Sequence, residues 1–468
     1  MFDAIMKALL RFGGDTADIG LTGLDTGRKS VRGILEGWIK AASRHNYIAT
    51  LATELSILGL SLFALKLCAY ILGPTGFGEY ALAKRALSIL TFTLACGLGI
   101  AVPRYVSLTE EASATSNRQG AYLLGALLLS ASILTVFATL ALSGLLPLGK
   151  IFLGDASPPF MASALVAAVI GLSMHTICNG YLRGKLWMRK ANALQLINLG
   201  LTPIVALLAC GAQSTRAIAL MGLGWGVVSI IFGCTIAAHQ PFKGVSASQL
   251  KDSVRILLSF GVIRVPGEFA LFALTAIPTF VAAHKVGIQS AGVLSLSISI
   301  LQVVGALFTG VGVLLLPQVS RLVSTGATDR ARRLVRTALL LSLAIAGAVA
   351  GVLFLSADLV INIFFGSQMG QSTTEIRWLL VGVFPYVTYL TLRNPLDAVA
   401  SWPYNSINLT AGCLLLVALL WLGGDYLSPG SSLTFALLLV GCASLMSWRH
   451  SCKSETTHPE RLIGQAGD

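Results

Sequence analysis

The sequence predicts an all-α polytopic membrane protein, with about 12 transmembrane helices in two parallel six-helix lobes around a central cavity. Three observations carry this. First, the 468 residues are 55% hydrophobic and only 11% charged, with a mean hydropathy of +0.79. A soluble domain carries about 25% charged residues. Second, apolar runs recur at the ~20 residues that an α-helix needs to cross hydrocarbon. The alternating ten-residue segments of a transmembrane barrel are not seen. Third, the second half of the chain repeats the first in a single register.

Residues 1–46 form a basic N-terminal extension. Ile5, Leu9 and Phe12 recur at helical spacing, as do Ile34, Leu35, Trp38, Ile39 and Ala42 opposite Arg32, Lys40 and Arg44. The pattern reads either as an interfacial helix or as an unstructured tail. It holds no apolar core segment of a cleavable signal peptide. Twelve spans follow, at 47–72, 80–102, 119–146, 160–182, 191–211, 217–238, 257–282, 289–316, 334–355, 376–394, 404–422 and 431–448. They group as an N-lobe over 47–240, a linker over 241–256, a C-lobe over 257–448 and a tail over 449–468.

Orientation follows from lysine and arginine. Arg28, Lys29, Arg32, Lys40 and Arg44 lie before span one, and Arg183, Lys185, Arg189 and Lys190 after span four. Lys243, Lys251 and Arg255 follow span six, and Arg321, Arg330, Arg332, Arg333 and Arg336 follow span eight. With twelve spans all four groups share one side, which is then cytoplasmic, as are both termini and the linker. The net charge of +13 is thereby explained by topology, and no nucleic acid is needed to account for it. The eight cysteines show no CxxC spacing, and neither a metal site nor a disulfide framework is expected. They read as small apolar packing residues.

The chain is organised around Gly73 to Arg104. A tight turn at Gly73-Pro74-Thr75-Gly76 joins two long apolar runs, and the second run closes on Pro103-Arg104. A copy of this design runs from Gly287 to Gln318, 214 residues later. In that register Glu54 meets Glu268, Gly73 meets Gly287, Gly78 meets Gly292, Leu82 meets Leu296 and Pro103 meets Pro317. Three of these identities are Gly or Pro, which set turns and helix ends. Six spans per half give both halves one orientation, so the repeats are parallel and related by an axis along the membrane normal.

An ionisable group at membrane depth costs several kcal/mol and therefore faces a cavity or a partner. Here these groups are Glu54, Lys66, Lys84, Arg85, Arg264 and Glu268, with His175 a weaker case. Lys66, Lys84 and Arg85 lie near the outer ends of spans one and two. They either meet in the outer half of the cavity or snorkel to the interface. In span seven, Arg264-Val265-Pro266-Gly267-Glu268 combines charge with a helix breaker, and a kink or unwound hinge at Pro266-Gly267 is expected. Arg264 and Glu268 are four apart and can pair. The pair reads either as a structural brace for the kink or as a cation site with a balancing carboxylate. His175, Asn179 and Arg183 form a stripe that reads mainly as a polar helix face. Tyr386, Tyr389 and Arg393 behind Pro385 read as core or interfacial packing, or as a cavity lining on which sugars stack. No Ser/His/Asp, metal-ligand or P-loop pattern is present, and catalysis, ATP hydrolysis and cofactors are not expected.

The run Leu72-Gly73-Pro74-Thr75-Gly76-Phe77-Gly78-Glu79-Tyr80-Ala81-Leu82-Ala83, with Gly97-Leu98-Gly99-Ile100-Ala101-Val102-Pro103-Arg104-Tyr105-Val106, resembles the polysaccharide-transporter family, the Wzx-type O-antigen flippases of the MOP superfamily. Leu315-Leu316-Pro317-Gln318-Val319-Ser320-Arg321-Leu322 matches that family after its eighth span. The resemblance covers roughly residues 47–340 well, and the last four spans only by hydropathy. It implies a V-shaped, MATE-like pair of lobes in the bacterial inner membrane. The implied substrate is a polyprenyl-pyrophosphate-linked oligosaccharide, moved outward by alternating access for surface polysaccharide such as O-antigen or exopolysaccharide. Membrane lipids, polysaccharide polymerase and chain-length proteins are the implied partners. Lys66, Lys84, Arg85 and Arg264 would bind the pyrophosphate, and Glu54 and Glu268 would couple or balance. The long N-terminal extension departs from the family pattern. A MATE-type multidrug antiporter is the alternative, but it predicts an acidic interior. A membrane glycan polymerase would want a large outer loop, and every outer loop here is short.

Overall fold

Gly73 turns the first long apolar run back on itself. Its φ of 66° lies in the left-handed region that glycine enters without steric cost. Pro74 cannot continue the incoming helix, but it suits the first turn of the next one. The computed structural model describes residues 45–111, 116–239, 245–262, 265–324, 326–365, 373–399, 402–423 and 426–457. Helix α1 (His45–Leu94) therefore consists of two antiparallel arms that meet at Gly73. The N-terminal extension up to residue 44 and the tail beyond 457 lie outside the described residues.

Cys96 and Gly97, at φ 45° and 69°, break the second arm, which resumes as α2 (Leu98–Glu111). The N-lobe continues with α3 (Ser116–Leu142), the short α4 (Leu148–Leu153) and α5 (Met161–Gly184). A fifth span follows, made of α6 (Met188–Gln195), a π-helical turn at Leu196–Leu201 and α7 (Thr202–Ala209). Helix α8 (Ser214–His239) completes the lobe.

The described residues of the expected seventh span fall in two helical stretches. α9 (Ala247–Val262) packs on α3 and α2 of the N-lobe, and α10 (Val265–Lys285) starts the C-lobe. Pro266 is the second described residue of α10, and Arg264 before it lies outside the described residues. Gly287, at φ 123°, then turns the chain into α11 (Ile288–Ser324), as Gly73 does in the first lobe. The C-lobe ends with α12 (Thr328–Leu355), α13 (Ala357–Phe365), α14 (Thr373–Val381), α15 (Val383–Val399), α16 (Tyr404–Leu422) and α17 (Pro429–Thr457). Among the described residues, ten helices are long and apolar enough to cross a membrane. One of them, α1, bends into two, and the α14–α15 pair supplies the remaining crossing, which accounts for all twelve spans.

The final helix of each lobe begins in the same way. Ser214 opens α8 and donates a hydrogen bond to the Glu79 carboxylate. Ser428, in the same register of the repeat, accepts from the Ser431 N–H at the start of α17, beside the Glu375 carboxylate. Each carboxylate thus sits at the positive end of a helix dipole.

Candidate functional site

The two lobes meet along a seam between the second arm of α1 and α11. Both helices run away from a glycine turn in the same direction, so equivalent residues can face each other across the pseudo-twofold axis. They do so in pairs. Gln289 Nε2 donates to Thr75 Oγ1 at 3.0 Å. Gly78 lies against Gly292: a Cβ on Gly292 would come within 2.9 Å of Gly78 Cα. Leu82 and Leu296 follow one turn later, both fully buried in the same apolar cluster. Arg85 then faces Ser299. Thr75, Gly78, Leu82 and Arg85 are one helix face, and each partner is the residue 214 positions on.

Arg85 closes the seam. Its side chain reaches across to α11, where Nε lies 3.3 Å from Ser295 Oγ and Nη1 lies 2.8 Å from Gln302 Oε1. Nη2 donates to the Ser295 carbonyl at 3.0 Å and to Ser299 Oγ at 2.9 Å. The residue is 8% exposed, and no carboxylate contacts it among the described residues. The guanidinium is thus buried against neutral oxygens of the opposite lobe. Lys84 is half-buried, with its ammonium 5.8 Å from the centre of the Tyr80 ring. Lys66 is exposed on the first arm of α1. The three cations thus differ in burial.

Glu54 is exposed and pairs with Arg183 at 3.3 Å, and Arg183 also donates to Gln195 Oε1 at 2.9 Å. Arg264 lies outside the described residues. Pro266 is exposed, and Gly267 is buried where α10 meets α16, with room for no side chain against Ser406. Glu268 lines a cavity of about 200 Å³ together with Thr91, Phe92, Gly97, His175 and Asn179. This space is large enough for several waters, at about 30 Å³ each.

His175 is 4% exposed and belongs to a polar network inside the N-lobe. Asn198 Nδ2 lies 3.1 Å from His175 Nδ1 and 3.1 Å from Ser229 Oγ, and Trp225 Nε1 donates to the Asn198 carbonyl at 2.6 Å. Asn198 sits in the π-helical turn, whose extra residue re-aims side chains. Sequence reasoning left this network unassembled, because its members come from three different helices. It also missed Ser295, Ser299 and Gln302, although the register of the repeat carried a signal: Ser299 is the residue equivalent to Arg85. In the C-lobe, Tyr389 is buried while Tyr386 and Arg393 are half-buried.

No curated protein matches the chain in sequence. Among solved structures, it is similar to an inward-facing multidrug resistance MATE family transporter of the MOP superfamily. The TM-score is 0.71 at 14% identity over 88% of this chain and 99% of that one. It is also similar to the lipid II flippase MurJ in an inward closed conformation, with a TM-score of 0.59 at 15% identity over 88% and 87% of the two chains. A third similar structure is a MOP superfamily transporter from Pyrococcus furiosus, described as having a binding pocket of reverse polarity. There the TM-score is 0.56 at 16% identity over 87% and 95% of the chains. These likenesses establish the MOP transporter fold. The family profile for polysaccharide biosynthesis protein matches residues 67–374, which take in the stretches Gly73–Arg104 and Gly287–Gln318 and the whole seam. On that match, the chain belongs to the polysaccharide biosynthesis protein family, built on the MOP transporter fold.

Proposed function

We propose that this protein is a flippase that moves a polyprenyl-pyrophosphate-linked oligosaccharide across the bacterial inner membrane for surface polysaccharide synthesis. The observation that supports it is the buried guanidinium of Arg85, which no carboxylate contacts among the described residues, at the lobe interface of a polysaccharide-family chain. A diphosphate headgroup needs fixed positive charge in a low-dielectric interior, and a drug-cation exporter needs the opposite. The Arg183 side, rich in lysine and arginine, is cytoplasmic in this reading, and the Gly73 side faces outward. The lobes are 47–240 and 257–448, joined by the linker at 241–256. The seam then closes the outer face and leaves the substrate to enter from the cytoplasm. Lys66, Lys84 and Arg264 are further headgroup-binding candidates, Glu54 and Glu268 candidates for coupling, and Pro266-Gly267 the candidate hinge. Polymerase and chain-length proteins are the partners this role implies.

The test is the leaflet distribution of polyprenyl-linked oligosaccharide after depletion of the protein. The reading expects accumulation on the cytoplasmic leaflet with loss of surface glycan. Normal distribution, with heightened sensitivity to cationic dyes, would assign the chain to drug export instead.

A further inference from the structure

Among the described residues, Arg85 is held entirely by the opposite lobe, and entirely by neutral atoms. Burying a charge without a counter-charge is costly, and neutral dipoles repay that cost incompletely. The same planar fork of N–H donors is also the geometry that grips a phosphate through two oxygens. Burial along the seam is graded. Ser295 is 3% exposed, whereas Ser299 and Gln302, further from the Gly73 turn, are only half-buried. The inner edge of the seam is thus the end at which an anion can reach the guanidinium, and half-buried Lys84 is its neighbour in the chain.

We infer that Arg85 is a shared site with two alternative sets of partners: Ser295, Ser299 and Gln302 of the C-lobe, or the diphosphate of the ligand. This rests on the flippase reading above. A diphosphate approaching from the inner edge displaces Gln302 and Ser299 first. It adds Coulomb attraction to hydrogen bonds that the neutral groups already supply. Once the guanidinium is turned to the ligand, the polar hold of the seam below Gly78 and Gly292 is gone. Headgroup binding thereby favours separation of the lobes on the Gly73 side. The site couples cargo recognition to opening and needs no additional sensor.

The two occupants compete, so the coupling is reciprocal: whatever weakens the C-lobe's hold strengthens the diphosphate's, by the same factor. The experiment uses the full chain in lipid nanodiscs, with farnesyl diphosphate as probe and farnesol as control. Affinity is read by calorimetry, and opening by hydrogen–deuterium exchange of peptides covering residues 74–82 and 286–296. The inference expects farnesyl diphosphate, not farnesol, to speed exchange in both peptides. Ser299→Ala removes one acceptor. It should speed ligand-free exchange about fivefold and tighten diphosphate binding by a similar factor, as expected for one hydrogen bond of about 1 kcal/mol. Arg85→Lys keeps the charge and loses the fork, so it should bind the diphosphate more weakly and exchange faster without it. Diphosphate that binds wild type without changing exchange overturns the inference and leaves the flippase reading standing. So does Ser299→Ala that speeds exchange but leaves affinity unchanged. Absence of diphosphate binding in wild type and Ser299→Ala overturns both.

Discussion

Gly78→Ala tests whether the seam is a true closed gate. A Cβ on Gly78 would lie 2.8 Å from Ile288 Cγ2 and 2.9 Å from the Ile288 carbonyl carbon. Carbon contacts settle near 3.5–4.0 Å, so the two helices must part by roughly 0.5–1 Å. Overpacking of this kind costs about 1–3 kcal/mol. The cost falls on the state in which the helices touch and vanishes once the lobes separate on this side. It therefore shifts the closed-to-open ratio by about 5- to 150-fold without unfolding either lobe. Hydrogen–deuterium exchange of peptides covering 70–78 and 286–292 measures that ratio, and thermal unfolding in the same nanodiscs monitors the lobes. Gly59 provides the control, because a Cβ there meets nothing within 4 Å. Gly59→Ala should leave exchange at the seam alone and stabilise the chain by about 0.4–1 kcal/mol. If Gly78→Ala exchanges like wild type at both segments, the contact is not a gate and the reasoning fails.

Three further outcomes are expected. Asn198→Ala leaves Trp225 its backbone carbonyl but strands the His175 and Ser229 side chains inside the N-lobe and should cost about 1–3 kcal/mol; a melting temperature equal to wild type would show that the network adds nothing. Glu54→Gln removes an exposed ion pair and should change stability by less than about 1 kcal/mol, whereas Glu268→Gln, in the cavity, should alter the pH profile of transport. A transport profile unchanged in Glu268→Gln removes that residue from coupling.

The fold was legible because its punctuation is local. Gly73 and Gly287 need positive φ, and a repeat 214 residues long aligns them on inspection. The same register placed Gly78 opposite Gly292 and Leu82 opposite Leu296. The structure shows why the glycine pair is identical: residues on a pseudo-twofold axis meet their own equivalents and must be self-complementary. The site was harder to read. Hydropathy finds a span but not which of its faces meets a cavity, so Lys66, Lys84 and Arg85 looked alike, although one is exposed, one half-buried and one buried. Glu54 and Glu268 share a register yet differ in surroundings, one paired with Arg183 at the surface and the other lining a cavity. His175 looked like surface because Asn198, Trp225 and Ser229 are distant in sequence and the π-helical turn that aims Asn198 leaves no compositional mark.

The length of the seam has an electrical consequence. From Thr75 to Arg85 it covers ten residues, about 15 Å of helix, which is half of a ~30 Å hydrocarbon layer. If the remaining half is reached by water from the cytoplasm, the membrane voltage drops across those ~15 Å alone. In the proposed flippase, an anionic headgroup resting at Arg85 has then crossed half the thickness and almost none of the potential. Releasing it towards the Gly73 side moves each negative charge down an inside-negative voltage, worth about 2.3 kcal/mol per 100 mV. Outward export should therefore quicken as the membrane hyperpolarises, and a potassium-clamped proteoliposome in which voltage leaves the rate unchanged would show that the field is not focused on the seam.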